Sequence, residues 1–149
     1  MKHAFTMIEL VFVIVVIGIL AAIAIPKFAV TRDDANIVKG KSTVANIQSG
    51  LVTERTRRIM RGESRYPATL DSAANNTEGE ALFTEVLEYP VRAKHSAGGW
   101  QKTGNLTYDF YVNNTTTVTF TYDGDSNSTE YGTFNCSDTD ANCEKYFLN

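Results

Sequence analysis

An α+β fold is predicted, in which a long bent N-terminal helix lays its second half on a three- or four-stranded antiparallel sheet. Three observations predict it: an almost pure apolar run over residues 10–25, helix-spaced apolar positions from there to about residue 61, and alternating apolar residues through the last third of the chain. At 149 residues, one domain fits outside the apolar segment. A net charge of -3 with both signs mixed gives no basic stripe, so no nucleic-acid surface is evident.

The apolar run comes first. In hydrocarbon every backbone N–H and C=O must pair within its own segment, which a helix achieves. Residues 5–25 rise roughly 31 Å as a helix, against a hydrocarbon core of about 30 Å. Val, Ile, Leu and Ala leave no polar stripe, which disfavours a helix lying on the membrane surface. Gly18 is the weak point of the segment, because glycine costs about 1 kcal/mol against alanine in a helix, and the chain can loosen there. Pro26 closes the run and is expected to kink the helix by removing one backbone hydrogen bond.

Glu9 stands out against this background. A carboxylate in a membrane helix costs about 2.5–3.5 kcal/mol at the centre and usually has a partner, yet no basic residue lies one turn downstream. A secretory signal peptide fails on layout: small Ala4 precedes the apolar run, and Ile25-Pro26-Lys27 lacks a small-x-small cleavage pattern.

Ala4-Phe5-Thr6-Met7-Ile8-Glu9-Leu10, followed by the apolar run with Gly18 and then Ala21-Ala22-Ile23-Ala24-Ile25-Pro26, resembles the class III signal of type IV pilins and of type II secretion pseudopilins. The resemblance covers about a fifth of the chain and implies a pilin-like fold. It also implies cleavage between Ala4 and Phe5 by a prepilin peptidase, methylation of the freed Phe5 amino group, and assembly of the apolar helices into a filament core. Such leaders usually end in glycine; alanine is its smallest replacement, so cleavage is expected to survive but more slowly. The cut removes Lys2 and His3, leaving the Phe5 amino group four residues from Glu9. That group could pair with Glu9 in the same chain or in a neighbour, and an intermolecular pair would fix the axial register of subunits. In the unassembled subunit Glu9 is expected to reach the cytoplasmic headgroups.

The domain plan that follows is a leader over 1–4, a transmembrane and filament-core helix over 5–26, and a periplasmic or extracellular globular domain over 27–149. The Met1 amino group and Lys2 favour a cytoplasmic N-terminus in the inner membrane; Lys27 and Arg32 weaken this, and Asp33 and Asp34 partly offset them. Expected partners are copies of the chain and related minor subunits in a filament, the prepilin peptidase/methyltransferase, an inner-membrane assembly platform, and lipid before assembly. No cofactor is expected.

From residue 27 to about 61 the helix continues, with Ile37, Val44, Ile47, Leu51 and Ile59 near helical spacing and Gly62 as its stop. Arg55, Arg57, Arg58, Arg61 and Arg65 read as a solvated helix end whose cations suit the C-terminal dipole. The connection over 65–104 is irregular, with one expected helix: Thr77-Glu78-Gly79-Glu80 fits a capping box ahead of Ala81-Leu82-Phe83 and Val86-Leu87. Gly98-Gly99-Trp100 reads as a turn that buries an aromatic against the sheet. Leu106, Tyr108, Phe110 and Val112 alternate with polar residues, as do Val118, Phe120 and Tyr122 after a turn at Asn113-Asn114. Asp123-Gly124 marks the next turn, residues 132–134 a further strand, and Tyr146-Phe147-Leu148 a chain end that folds back.

Cys136 and Cys143 enclose six residues too polar for a core element. A disulfide there would stabilise by roughly 2–3 kcal/mol in the chain-entropy model and fits an oxidising compartment. A zinc site would need two more ligands, and His3 and His95 offer none nearby. The resemblance points to the same disulfide. Asp123, Asp125 and Asn127 alternate like the start of a calcium loop, but the glycine and distal glutamate of an EF-hand are missing and a solvated hairpin turn is preferred. Asn127 begins an N-x-[ST] triplet with an acid two positions earlier, which makes it a candidate glycosylation acceptor. No nucleophile elbow, phosphate loop or paired metal-binding histidines point to an enzyme. The expected function is a structural subunit of a type IV pilus or related filament; a pseudopilin of type II secretion is the alternative, and a membrane-anchored adhesin or binding domain is the rival from another class.

Overall fold

The computed structural model describes residues 5–148, with the side chains of residues 24–30 excepted. The fold is α+β, in the order helix α1 (Met7–Met60), strands β1 (Ala81–Leu82), β2 (Val91–Arg92), β3 (Trp100–Lys102), β4 (Thr107–Tyr111), β5 (Thr117–Tyr122) and β6 (Phe134–Cys136), then helix α2 (Ala141–Cys143) and a π-helical turn Glu144–Leu148. Contacts divide the chain into two compact units, Met1–Asp34 and Ala35–Asn149.

In the first unit the backbone is helical from Met7 onward, without a break at Gly18 or Pro26. The side chain of Pro26, where a kink is expected, and the leader residue Ala4 lie outside the described residues.

In the second unit α1 lays one stripe on the sheet. Ile47 and Leu51 are buried, Ile37 and Val44 pack against the same core, and a Cβ on Gly40 would collide with the Phe110 ring. Ile59, expected on this stripe, is 51% exposed. From Leu51 it lies eight residues on, about 80° round the wheel at 100° per residue, so it leaves the covered face. The helix ends in a Schellman motif: Gly62 takes φ 86°, its N–H reaches the Ile59 carbonyl, and the Glu63 N–H reaches that of Arg58.

The four-stranded antiparallel sheet runs β3-β4-β5-β6. Tyr108 faces Phe120 and Phe110 faces Val118 across β4 and β5, all four buried, while Asp109 and Thr119 pair on the outer face at 2.8 Å. Asn113 closes the β4–β5 turn by accepting the Thr115 and Thr116 N–H groups. The final strand spans Phe134–Cys136 rather than 132–134. β3 sits where a turn was expected: Gly98, at φ 72°, supplies the turn, and Trp100 already pairs with Phe110. Trp100, Phe110, Phe120 and Phe134 form one aromatic core, closed from the chain end by Phe147, whose ring lies 4.9 Å from that of Phe120.

No helix follows Thr77. Ala81–Leu82 pairs instead with Val91–Arg92 as a separate two-stranded ladder. Gly79 holds φ 80° and donates to the Ala93 carbonyl, Glu78 accepts the His95 N–H, and Phe83 takes φ 62°. A left-handed residue two places after the expected cap, and another beyond the ladder, break any helical turn.

Candidate functional site

A capping box does exist, at the start of α1. Thr6 precedes α1 as its N-cap, and its Oγ1 accepts the Glu9 N–H at 3.3 Å. Glu9 Oε2 accepts the Thr6 N–H at 3.1 Å and the Thr6 hydroxyl at 2.9 Å. Thr6-Met7-Ile8-Glu9 is the T-x-x-E pattern that satisfies two orphan N–H groups of a helix start reciprocally. Glu9 therefore has a neutral partner within its own chain, one that the positions of nearby cations do not reveal. A cut between Ala4 and Phe5 would leave these bonds intact, since Thr6 keeps its amide N–H. Oε1 accepts no hydrogen bond among the described residues.

Around this cap the surface is apolar. Phe5 is 82% exposed, and the large apolar side chains from Met7 to Ile23 are exposed in succession. A Cβ on Gly18 would meet nothing within 4 Å. Among the described residues no helix is long and apolar enough to cross a membrane.

The globular unit holds two charged networks. Asp71 is fully buried and accepts four bonds: Oδ1 from Lys102 Nζ at 2.9 Å and the Ala73 N–H at 3.1 Å, Oδ2 from the Phe83 N–H and the Tyr108 hydroxyl at 2.9 Å each. Each lone pair of the carboxylate thus has a donor, which offsets its loss of water. The network fastens the 65–83 connection to β3 and β4. Burial pushes the Tyr108 phenol far above its ordinary pKa, and the neighbouring Asp71 charge adds to the shift. The second network centres on buried Glu54, which bonds Arg57, Arg58 at 2.8 Å and Arg61 at 3.3 Å. Hydrogen bonding to Arg57 is the main cause that holds the Glu54 carboxyl below its usual range. The arginines expected only as a solvated helix end thus include three that converge on one acid, while Arg55 lies over the Tyr66 ring at 4.8 Å. Spacing gives a partial signal, since Glu54 stands three, four and seven residues before them.

The remaining candidates lie apart from the N-terminal cap in sequence. Cys136 and Cys143 form a disulfide, with Cα atoms 5.8 Å apart. Asp123 Oδ1 accepts the Asp125 N–H, and Asp125 Oδ1 accepts the Asn127 N–H and side-chain amide, so these oxygens close consecutive Asx turns. Among the described residues no three His, Cys, Asp or Glu side chains converge to hold a metal ion. Asn127 is exposed on this loop.

Residues 1–25 match the prokaryotic N-terminal methylation motif. The chain carries, at this methylation motif, the class III signal found in type IV pilins and pseudopilins. Over 75 residues it is 39% identical to the type IV narrow pilus major component PilA5 of Thermus thermophilus. That similarity spans 50% of this chain and 60% of the relative. No solved structure matches the chain. Thr6 and Glu9, the two residues of the cap, both fall within the methylation motif.

Proposed function

We propose that this chain is a structural subunit of a type IV pilus or a related filament, cut between Ala4 and Phe5 by a prepilin peptidase, methylated at Phe5 and polymerised through its N-terminal helix. The methylation motif over residues 1–25 is the observation that carries the reading. The similarity to a pilus major component favours a pilus over a secretion pseudopilus, and the Cys136–Cys143 disulfide agrees with an oxidising compartment.

In this reading residues 1–4 are a leader, 5–26 a helix stored in the inner membrane with its N-terminus cytoplasmic, and 27–149 the domain that reaches the periplasm and then the filament surface. Exposed apolar side chains from Phe5 to Ile23 require a cover, which lipid supplies before assembly and the helices of other copies and related minor subunits supply afterwards. Thr6 holds Glu9 at the helix start, with one carboxylate oxygen left for the Phe5 ammonium of a neighbour. The assembly platform that extracts the subunit is the further partner.

Mass spectrometry of the mature N-terminus tests this. A chain beginning at methylated Phe5 is expected, and an N-terminus at Met1 would favour a membrane-anchored adhesin or binding domain. Glu9→Val is expected to insert into membranes normally yet form no filaments; a normal filament yield from it would sink the register role of Glu9.

A further inference from the structure

The two halves of the Cys136–Cys143 disulfide differ in access. Cys143 is fully buried in the core, whereas Cys136 is half-buried. Cys136 also borders a recess of about 260 Å³ between α1 and the chain end, lined by Val44, Ala45, Phe120 and Leu148. A thiolate breaks a disulfide by attacking one sulfur and displacing the other. A reagent from solution reaches this bond at Cys136, so the sulfur it displaces is that of Cys143. That sulfur would leave as a thiolate within the apolar core, where burial disfavours the charge.

The same bond holds the chain end in its seat. Beyond the polar loop 137–139, the Asn142 side-chain amide donates to the Thr117 carbonyl at 3.2 Å. The Phe147 ring lies edge-on to Phe110 and Phe120, at 5.8 and 4.9 Å. Gly40 makes the room for it, since a Cβ there would lie 3.0 Å from the Phe147 ring. No residue of the turn Glu144–Leu148 is fully buried, which puts this segment at the low-stability end of the fold. Removing the cross-link frees the chain end to explore far more conformations. Phe110 and Phe120 then lose the cover that Phe147 supplies.

We propose that this disulfide is a redox latch, opened and closed at Cys136 by a protein dithiol/disulfide oxidoreductase, and that it closes only on a seated chain end. The inference concerns the globular unit alone and stands apart from the filament reading. In opening, a thiolate of the reduced oxidoreductase bonds to Cys136 Sγ as the Cys136–Cys143 bond breaks, and the Cys143 thiolate takes a proton from water. The partner's second thiolate then displaces Cys136 Sγ, which is protonated to a thiol while the partner becomes a disulfide. In closing, Cys136 attacks the partner's disulfide, and Cys143 displaces the partner once the segment has brought it within bonding distance. Oxidation thereby records that Phe147 has docked.

The test is made on the full chain in detergent. Brief exposure to reduced glutathione, then acid quench and thiol alkylation, is expected to leave glutathione on Cys136 and the alkyl group on Cys143 in peptide mass spectra. Glutathione found mainly on Cys143, or evenly on both, overturns the assignment of Cys136. Phe147→Ala wets the buried sulfur and is expected to speed reduction by dithiothreitol about ten-fold, the size usual for losing an edge-to-face aromatic pair. A rate equal to the parent's overturns the coupling to the seat. In the parent chain, hydrogen exchange over residues 141–148 is expected to rise about ten-fold or more on reduction, with β4 and β5 still protected. Unchanged exchange over 141–148, or protection lost throughout the sheet, also overturns the latch.

Discussion

Removing the two ends of the Asp71–Lys102 pair should have unequal costs. Asp71→Ala takes away an acceptor that serves four donors. It leaves a buried ammonium whose remaining hydrogen bond is to the residue 71 carbonyl at 3.4 Å, together with two backbone N–H groups and the Tyr108 hydroxyl. Breaking a buried pair costs about 3–5 kcal/mol, and unsatisfied neutral donors add to it, so a loss of about 5 kcal/mol is expected. Lys102→Met keeps the aliphatic stem and removes one donor, while Ala73, Phe83 and Tyr108 still hold the carboxylate. A loss of about 2–3 kcal/mol is expected there. The single tryptophan, Trp100, is fully buried in the adjoining aromatic core, so urea unfolding of the full chain in detergent can be followed by its fluorescence. If Lys102→Met destabilises as much as Asp71→Ala, the donor count does not govern this site and the argument is wrong.

Three further outcomes are expected. Tyr108 and Tyr122 both have phenol pKa values raised chiefly by burial, so the folded state holds their protons above the ordinary value of 10. Their stabilisation is complete below pH 10 and falls above it, by about 1.4 kcal/mol per pH unit for each while only the unfolded chain ionises. Absorbance titration near 295 nm should show two of the seven tyrosines ionising only as the fold is lost; seven independent titrations near pH 10 would contradict this. For Glu54 the shift is downward, so its contribution is present above its unfolded value of 4.5 and disappears as pH falls through the folded one. Melting curves from about pH 6 to about pH 3 should fall less steeply for Glu54→Gln than for the parent; parallel curves would remove Glu54 from the acid limb. Gly50→Ala should be destabilising despite alanine's better helix propensity, because its Cβ would run into the Val86 carbonyl. A raised melting temperature for that variant would refute the close approach.

The parts of the fold legible in the sequence are those where one face is wet and the other dry. β4 and β5 alternate because Thr107, Asp109, Thr119 and Thr121 face outward while Tyr108, Phe110, Val118 and Phe120 face the core. β3 gives no such signal: Trp100, Gln101 and Lys102 are all buried, Lys102 by an acid thirty-one residues earlier in the chain. Glycine decides against the expected helix after Thr77. Thr77 and Glu80 satisfy a side-chain pattern, but Gly79 between them takes a left-handed conformation that the pattern does not register. At the N-terminus the same pattern over Thr6 and Glu9 is masked by the charge of the acid, which draws the eye to cations instead of to a threonine. The buried Asp71–Lys102 pair joins residues distant in sequence, so only three-dimensional proximity exposes it.

The disulfide also determines what happens if the chain is cut. Residues 137–139 are exposed and polar, the kind of loop on which proteases act, whereas Cys143 is fully buried. A nick there would leave the terminal segment, including the Phe147 ring that caps the aromatic core, tethered to β6 by one covalent bond. A short tether keeps such a plug at about millimolar effective concentration, so it rebinds instead of diffusing away. The bond therefore makes the exterior of the molecule tolerant of a severed backbone at this turn.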